Sequence, residues 1–587
     1  MPALNEPPQP RAELLATLAR IDGWGPLAWR EIHGAWRLGS GVLVVEDRKG
    51  GDGSDDDADA VDLILVLHHH RLPLATLPDA TCDWVLRQAW QRLIPGTAVR
   101  LDTVRPGAAV VATNACYVES AATWERAAPR RMRSTTDACD RESPGSAGLG
   151  NLVLRFHAHL PYAGMCLDGK RFARLVRQLS VFARALADGP HPGLAQHRRT
   201  VARARALRAA LPRHGLVAFL GDGSRLARDR DDRPARHGVP LHAPNGLAVT
   251  LDLGRFGKLR GLGIRTGVTA VIGAPYHGKS TLLHALAAGR DDHPPGDGRE
   301  TVVSLADTLA VQAEDGRIIK AQDLSGFFPR LPGDDTRRFN TDRASGATSM
   351  AASVLQGVAA GCRLLLVDED SAASNAVAID PLMRRLIGPA LTDVATLADL
   401  VPALAAAGTS TVIAAGASTA VLAQADRIVR MDAWQPHDRT RTARRLLRRA
   451  PRPPADSLVK TWTPPNRVLH DDPDALFGPR HLLTLDVRES ERPGIDGRLL
   501  DLRRAGWPLD PELVRGAILA AAWCTRLAAG EALDLAALRL RYDHLIAERG
   551  VRALDPFATG FVRLPPWLLV TTVLERLPRP AMVSHRP

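Results

Sequence analysis

The residues Gly273-Ala-Pro-Tyr-His-Gly278-Lys279-Ser280-Thr281 have the types and spacing to hold a chain of phosphates. Glycine lets backbone N–H groups curl around phosphate oxygens without a Cβ in the way, and a helix that starts behind the loop aims its positive end at the anion. In such a loop Lys279 reaches the β- and γ-phosphates and the Ser280 hydroxyl ligates Mg²⁺. A second set of groups lies downstream, where Leu364-Leu-Leu-Val runs into Asp368-Glu369-Asp370. There Asp368 is placed to complete the metal shell, and Glu369 to orient or deprotonate an attacking water.

These side chains need particular elements to bring them together. The apolar run Val268–Ile272 reads as a strand and Leu282–Ala288 as a helix, which gives the strand–loop–helix context of a phosphate loop. Leu364–Val367 reads as a buried parallel strand that delivers its acids at the carboxyl edge of an open α/β sheet, where ligands bind. Between the two lies Ala344-Ser345-Gly346-Ala347-Thr348-Ser349, ahead of a helical pattern through Met350, Val354, Leu355 and Val358. Ser345 is the expected N-cap, and the small residues around it leave amides open to an anion.

The order of phosphate loop, Ser-Gly helix start and acidic strand end resembles the ABC class of ATPases. More narrowly, several strings resemble the soluble ABC-class ATPases that carry their own N- and C-terminal domains and no permease. They are Gly215–Ser224, Tyr276–Leu283, Ala313-Glu-Asp-Gly-Arg317, Ala344–Gly346, Val367–Asp370 and Ala425–Met431. Ile21–Gly25 and Arg563–Leu577 resemble the opening and closing parts of that family, so the likeness reaches both ends of the chain. It implies that Gly273, His277, Gly278, Lys279, Ser280 and Thr281 bind the nucleotide. It also implies that Lys279 and Glu369 act in catalysis and that Ser280 and Asp368 hold Mg²⁺. Ser345 and Gly346 would complete the site of the opposite subunit, so ATP would close a head-to-tail homodimer with composite sites. Glu314 would sit on a loop that senses the γ-phosphate.

The chain departs from its models in places. Ser410–Ala415 is the strand after the acidic one, and Gly416-Ala-Ser-Thr419 follows it without the histidine of ordinary ABC proteins. Pro275 removes one N–H from the phosphate loop. Leu160–Gly169 replaces an arginine-containing loop of the family.

The expected fold is α/β. A central ABC-like P-loop NTPase domain (161–445) joins an α+β N-terminal domain (1–160) and a mainly helical C-terminal domain (446–587). Helical periodicity covers Phe172–Leu186, Val201–Leu211, Leu513–Leu527 and Leu533–Ala547, while Gly41–Val45 and Val61–Leu67 read as strands. Lys49–Ala60 is a Gly/Asp-rich loop, and Arg439–Pro454 a basic linker. With 587 residues, 45% hydrophobic, the chain can bury several cores, and no uninterrupted apolar window is long enough for a membrane span. The start of the chain does not read as a signal peptide, and the six cysteines form no Cys-x-x-Cys pair; both point to the cytoplasm. His68-His-His70 reads as loop-edge histidines rather than a metal site.

The formal charge is +12, from 76 Lys plus Arg against 64 Asp plus Glu. Arg130–Arg133, Arg198-Arg199, Arg337-Arg338 and Arg441, Arg444, Arg445, Arg448 and Arg449 could neutralise a nucleic-acid backbone without reading its sequence. Three outputs stay open: an ATP-driven clamp or remodeller acting on RNA or DNA, the ATPase subunit of a transporter, and a nucleotide-dependent scaffold with little turnover.

Overall fold

The computed structural model describes residues 8–47, 60–68, 70–97, 99–119, 150–331, 333, 335–387, 394–416, 418–448, 466–470, 484–528, 531–555, 561–577 and 582–585. The Lys49–Ala60 loop up to residue 59, His69, the Arg130–Arg133 run, Ala417, and the linker from Arg449 onward lie outside them. The chain divides into two compact units: Met1–Arg199 with Arg549–Leu564, and Thr200–Glu548 with Pro565–Pro587.

The first unit is built on an antiparallel meander of β1 (Gly34–Arg37), β2 (Gly41–Asp47), β3 (Ala60–Leu67) and β4 (Asn151–His159). β3 is buried along its whole length, which its Val/Ile/Leu run already requires. Its single acid, Asp62, is tolerated there because β4 sets Arg155 and His157 against it. Helices α1 (Pro78–Gln88) and α2 (Gly169–Asp188) contribute to the same core. In α2, Phe172, Leu175, Val176, Leu179 and Phe182 recur at helical spacing and are all buried, and Asp168 caps the start by accepting from Arg171 N–H at 2.9 Å. His68 and His70 hydrogen-bond to Asn151 and Gly150 at the head of β4.

The second unit holds two sheets. An antiparallel one comprises β5 (Leu216–Gly221), β6 (Ala248–Asp252), β7 (Lys258–Arg265) and β9 (Val302–Ser304), in the order β6-β7-β5-β9. The other contains β8 (Val268–Ile272), β10 (Thr308–Val311), β11 (Leu364–Asp368), β12 (Ser410–Ala414), β13 (Arg427–Asp432) and β14 (Gln435–Asp438). Its order is β10-β11-β12-β8-β13-β14, parallel throughout except for the final hairpin. β12 thus lies between the strand that enters the phosphate loop and the strand that ends in acids. The registers Val271↔Ala414 and Asp368↔Ala414 bring all three carboxyl ends to one level.

α3 (Lys279–Ala288) and α4 (Gly346–Ala359) follow the Gly-rich and Ser-Gly segments. Leu282, Leu283 and Leu286 of α3 pack with Leu364, Leu366, Val412 and Val429 of the parallel sheet in one buried cluster. No helix among the described residues is long and apolar enough to cross a membrane.

After the sheet the chain forms α5 (Thr440–Leu447), and its C-terminal residues then form α6 (Pro511–Leu527), α7 (Leu535–Arg549) and α8 (Trp567–Leu574) in that order. Short strands β15 (Asn466–Leu469), β16 (Leu533–Asp534) and β17 (Met582–His585) also pair there, a feature that helical periodicity does not reveal. The Leu533 pattern begins with β16, and the helix starts at Leu535.

A buried ion network fixes these residues to α4. Arg467, fully buried, donates from Nε to Glu575 Oε1 at 2.8 Å and from Nη2 to Oε2. Its Nη1 donates to the Ala321 carbonyl at 2.7 Å and Ser584 Oγ at 3.0 Å, and Gln356 of α4 donates to Glu575 at 3.1 Å. Each charge is therefore matched and hydrogen-bonded, which burial demands. Glu575→Ala strands the Arg467 guanidinium and is expected to cost about 3–5 kcal/mol. The apolar double variant Arg467→Met/Glu575→Leu is expected to cost less, and urea unfolding followed by circular dichroism compares the two.

Candidate functional site

The loop leaves β8 through Gly273, whose φ of +151° excludes most side chains, and a Cβ there would collide with the Met431 carbonyl. It enters α3 through Gly278, with φ +98° as the helix N-cap. The conformation that brings the first amides of α3 round to one point is thus written into two glycines. Tyr276 also adopts a positive φ, +63°, and stands almost fully exposed on the crown of the loop.

Lys279 is buried, with 7% of its surface exposed. Its Nζ donates to the carbonyls of Gly273 (2.9 Å) and Ala274 (3.3 Å), and no carboxylate lies within ion-pair distance of it among the described residues. A buried ammonium held by neutral carbonyls beside the amides of a helix start is a site for an anion. His277 does not face this point through its imidazole. Nδ1 lies 3.0 Å from Asp432 Oδ1 and 3.1 Å from the Ala433 amide, and the His277 carbonyl accepts from Trp434 N–H at 3.2 Å. The side chain therefore ties the phosphate loop to the β13–β14 turn.

That turn joins Asp432 directly to Gln435, with both central residues, Ala433 (φ +45°) and Trp434 (φ +60°), in the left-handed region. Glycine and asparagine normally fill such positions, and an alanine and a tryptophan there store backbone strain. Trp434 lies against Gly278, where a Cβ would stand 2.7 Å from Trp434 Cδ1. The strained turn braces the loop from outside.

Ser280 and Asp368 line one cavity of about 390 Å³, together with Gln312, Asp370, Ser371 and His284. The hydroxyl and carboxylate oxygens gathered there suit a hard cation such as Mg²⁺. Thr281, next in α3, is half-buried. Glu369 does not line that cavity, because its carboxylate accepts from the Gly416 amide at the end of β12. Gly416 is the turn that lacks a histidine, so the acid and this departure from the ABC pattern are in contact. Gln312 follows β10 directly, and its one mark in the sequence is that the apolar run Leu309-Ala-Val311 ends in an amide.

Ser345 caps α4 by accepting from Thr348 N–H at 3.2 Å, as its type suggests. Ser345 and Gly346 line a separate cavity of about 630 Å³ with Gln312, Asp370 and Asn375. The two cavities share Gln312, Asp370 and Ser371, so the helix start and the metal-type oxygens lie on adjoining faces of one chain.

Glu314 is buried behind these faces. Its carboxylate accepts from Arg576 Nη2 (2.6 Å), Ser353 Oγ (3.0 Å) and Arg317 Nη1 (3.4 Å), and its amide donates to Ser349 Oγ (2.9 Å). Burial pulls the Arg317 guanidinium down to about 10, which leaves it charged at neutral pH. The Ala313 amide donates to the Ser371 carbonyl, while Gly316 and Arg317 exchange backbone hydrogen bonds with Ala344. The segment 313–317 therefore touches the residues after β11, the entry to α4 and the end of α8.

A family model described as the ABC_ATPase P-loop domain matches residues 190–463. The protein called "Uncharacterized protein MJ1628" from Methanocaldococcus jannaschii is 33% identical over 183 residues, 29% of this chain and 40% of that protein. The match thus spans less than half the length of that relative. Among solved structures, the ADP conformation of MJ1267, an ATP-binding cassette of an ABC transporter, matches at 13% identity and a TM-score of 0.22. It covers 34% of this chain and 92% of that one.

Gly278→Ala places a Cβ against Trp434 in a conformation that costs an L-residue about 1–2 kcal/mol. Titration with a fluorescent ATP analogue is expected to show about tenfold weaker binding. Unchanged affinity would contradict the brace.

Proposed function

We propose that the chain, whose residues 190–463 match the ABC_ATPase P-loop domain, binds ATP with Mg²⁺, hydrolyses it, and uses composite-site dimer closure to drive a clamp on RNA or DNA. The observation that carries this reading is the buried Lys279, whose Nζ has only carbonyl partners among the described residues. An ATP β,γ-phosphate would take over its hydrogen bonds and receive the amides of Gly278 to Thr281. Ser280 and Asp368 would hold Mg²⁺, which when bound neutralises charge between the β- and γ-phosphates. Gly273 and Gly278 shape the loop, and His277 keeps it in place through the β13–β14 turn.

Glu369 is the proposed water-orienting base. Its contact with the Gly416 amide supports a resting state of low turnover, from which closure draws the carboxylate toward the cavity of Ser280 and Asp368. Ser345 and Gly346 on the adjoining face would meet the nucleotide of a second copy. Each site is then complete only in the homodimer, and hydrolysis would release it.

The client reading rests on α5. Arg441, Arg444, Arg445 and Arg448 are exposed on or just beyond this helix, and none has a carboxylate partner among the described residues. A row of unneutralised guanidinium groups favours the phosphate backbone of RNA or DNA over an acid-poor protein surface. Replacing the four by alanine is expected to weaken binding to single- and double-stranded oligonucleotides alike and to flatten its salt dependence. Fluorescence anisotropy from low to physiological salt checks it, and identical curves for both proteins would remove nucleic acid as the client.

Lys279→Ala is expected to abolish ATP binding. Glu369→Gln should keep ATP binding and lower phosphate release at least a hundredfold. Release by Glu369→Gln at the normal rate would place the base elsewhere.

A further inference from the structure

The segment Asp501–Trp507 brings Arg504 to the cavity that carries Ser345, and it is fixed to the P-loop domain by two close contacts. At Gly506 (φ +79°) the backbone approaches β10 so closely that a Cβ would collide with the Ala310 carbonyl. Next to it, the Trp507 ring lies under the buried Arg290 guanidinium, 3.6 Å from its centroid, just beyond α3. Leu502 and Ala505 are buried on either side of the arginine pair they enclose.

The two arginines have different surroundings. Arg503 is closed onto Asp501, with Nε at 3.0 Å from Oδ1 and Nη2 at 2.5 Å from Oδ2. Arg504 donates from Nη1 to the Ala313 carbonyl at 3.1 Å and has no carboxylate partner among the described residues. It lines the 630 Å³ cavity with Ser345, Gly346 and Asn375, and is absent from the lining of the 390 Å³ cavity of Ser280 and Asp368. Two acids share its cavity: Asp315, beside Gly346, and Asp370, which also faces the metal-side cavity. Arg504 is the cationic side chain among the described residues that line this cavity.

We propose that Arg504 is a nucleotide-contacting residue supplied in trans. Its guanidinium, held at one end by Ala313, donates to a terminal phosphate oxygen of the nucleotide seated on the phosphate loop of a second copy. It acts beside Ser345 and Gly346. The proposal rests on the composite-site reading above and extends the site to a residue from the C-terminal part of the chain. A charge-assisted donor at the transferring phosphate is worth about 10²–10³ in turnover. The contact also makes the C-terminal segment a condition of hydrolysis, since Arg504 is presented only while Gly506 and Trp507 stay docked.

The test mixes subunits in the full-length protein. Arg504→Ala alone is expected to bind ATP within about threefold of the parent, because its own phosphate loop is untouched, and to lose about a hundredfold in phosphate release. Lys279→Ala is inactive by itself. Mixed, the two variants form dimers in which one site pairs an intact loop with an intact Arg504, so phosphate release should return to a measurable fraction of the parent's. Ser345→Arg mixed with Lys279→Ala runs in parallel. Recovery with Ser345→Arg but not with Arg504→Ala overturns the trans arginine and leaves the composite site standing. Recovery with neither overturns the composite site, and this proposal with it.

Arg504→Gln keeps a donor for Ala313 without the charge, so full activity of that variant would reduce Arg504 to a structural peg and overturn the proposal. A readout independent of turnover is ATP-dependent association in the Glu369→Gln background, where Arg504→Ala is expected to raise the ATP needed at least tenfold. Unchanged association there would also contradict the contact.

Discussion

The buried Lys279, whose Nζ meets carbonyls and no carboxylate among the described residues, is the constraint on which the P-loop domain depends. Lys279, only 7% exposed, is held through Nζ by two carbonyls, and the positive end of α3 beside it adds to the pull on an anion. That arrangement requires Gly273 and Gly278 at dihedrals closed to other residues, and it requires the loop to be held from behind. The holding element is a turn whose own residues, Ala433 and Trp434, are strained. The strained turn and the phosphate loop are thus in contact, and both border the proposed nucleotide site.

Arranged around this point, the parallel sheet sets the distances. β12 separates β8 from β11, so the phosphate loop and the Asp368 end lie one strand apart, close enough for Ser280 and Asp368 to share a cavity. Behind them the segment 313–317 links three neighbours that the chain delivers from distant positions: the Ser-Gly helix, the residues after β11 and the end of α8. Because Glu314, Arg317 and Arg576 are buried as charges, this hub cannot lose one partner without stranding another. It joins the entry to α4 and the residues after β11 to the end of α8.

Much of this was legible in the residues. The loop, the acidic strand end and the capped helix are local patterns: glycine spacing, a run of apolar residues and a serine before small residues each specify their own backbone. What stayed hidden depends on contacts between residues far apart in the chain, 47 positions in one case and 262 in another. The pairing of Glu369 with Gly416 joins two strand ends, and nothing in either string names the other. The string Ala313–Arg317 marks Glu314, but nothing in it names the partner Arg576, 262 residues away. Gln312 and Arg504 carry ordinary side chains in unremarkable strings, and only the cavities they line distinguish them. The strands β15, β16 and β17 are too short to register as periodic.

The central claim is that each nucleotide site is completed by a second copy. Light scattering of the Glu369→Gln protein, with and without ATP and Mg²⁺, tests it most directly. The account predicts a monomer that becomes a dimer with ATP and Mg²⁺ and returns to monomer when they are removed. A protein that binds ATP and keeps one molar mass throughout would contradict it.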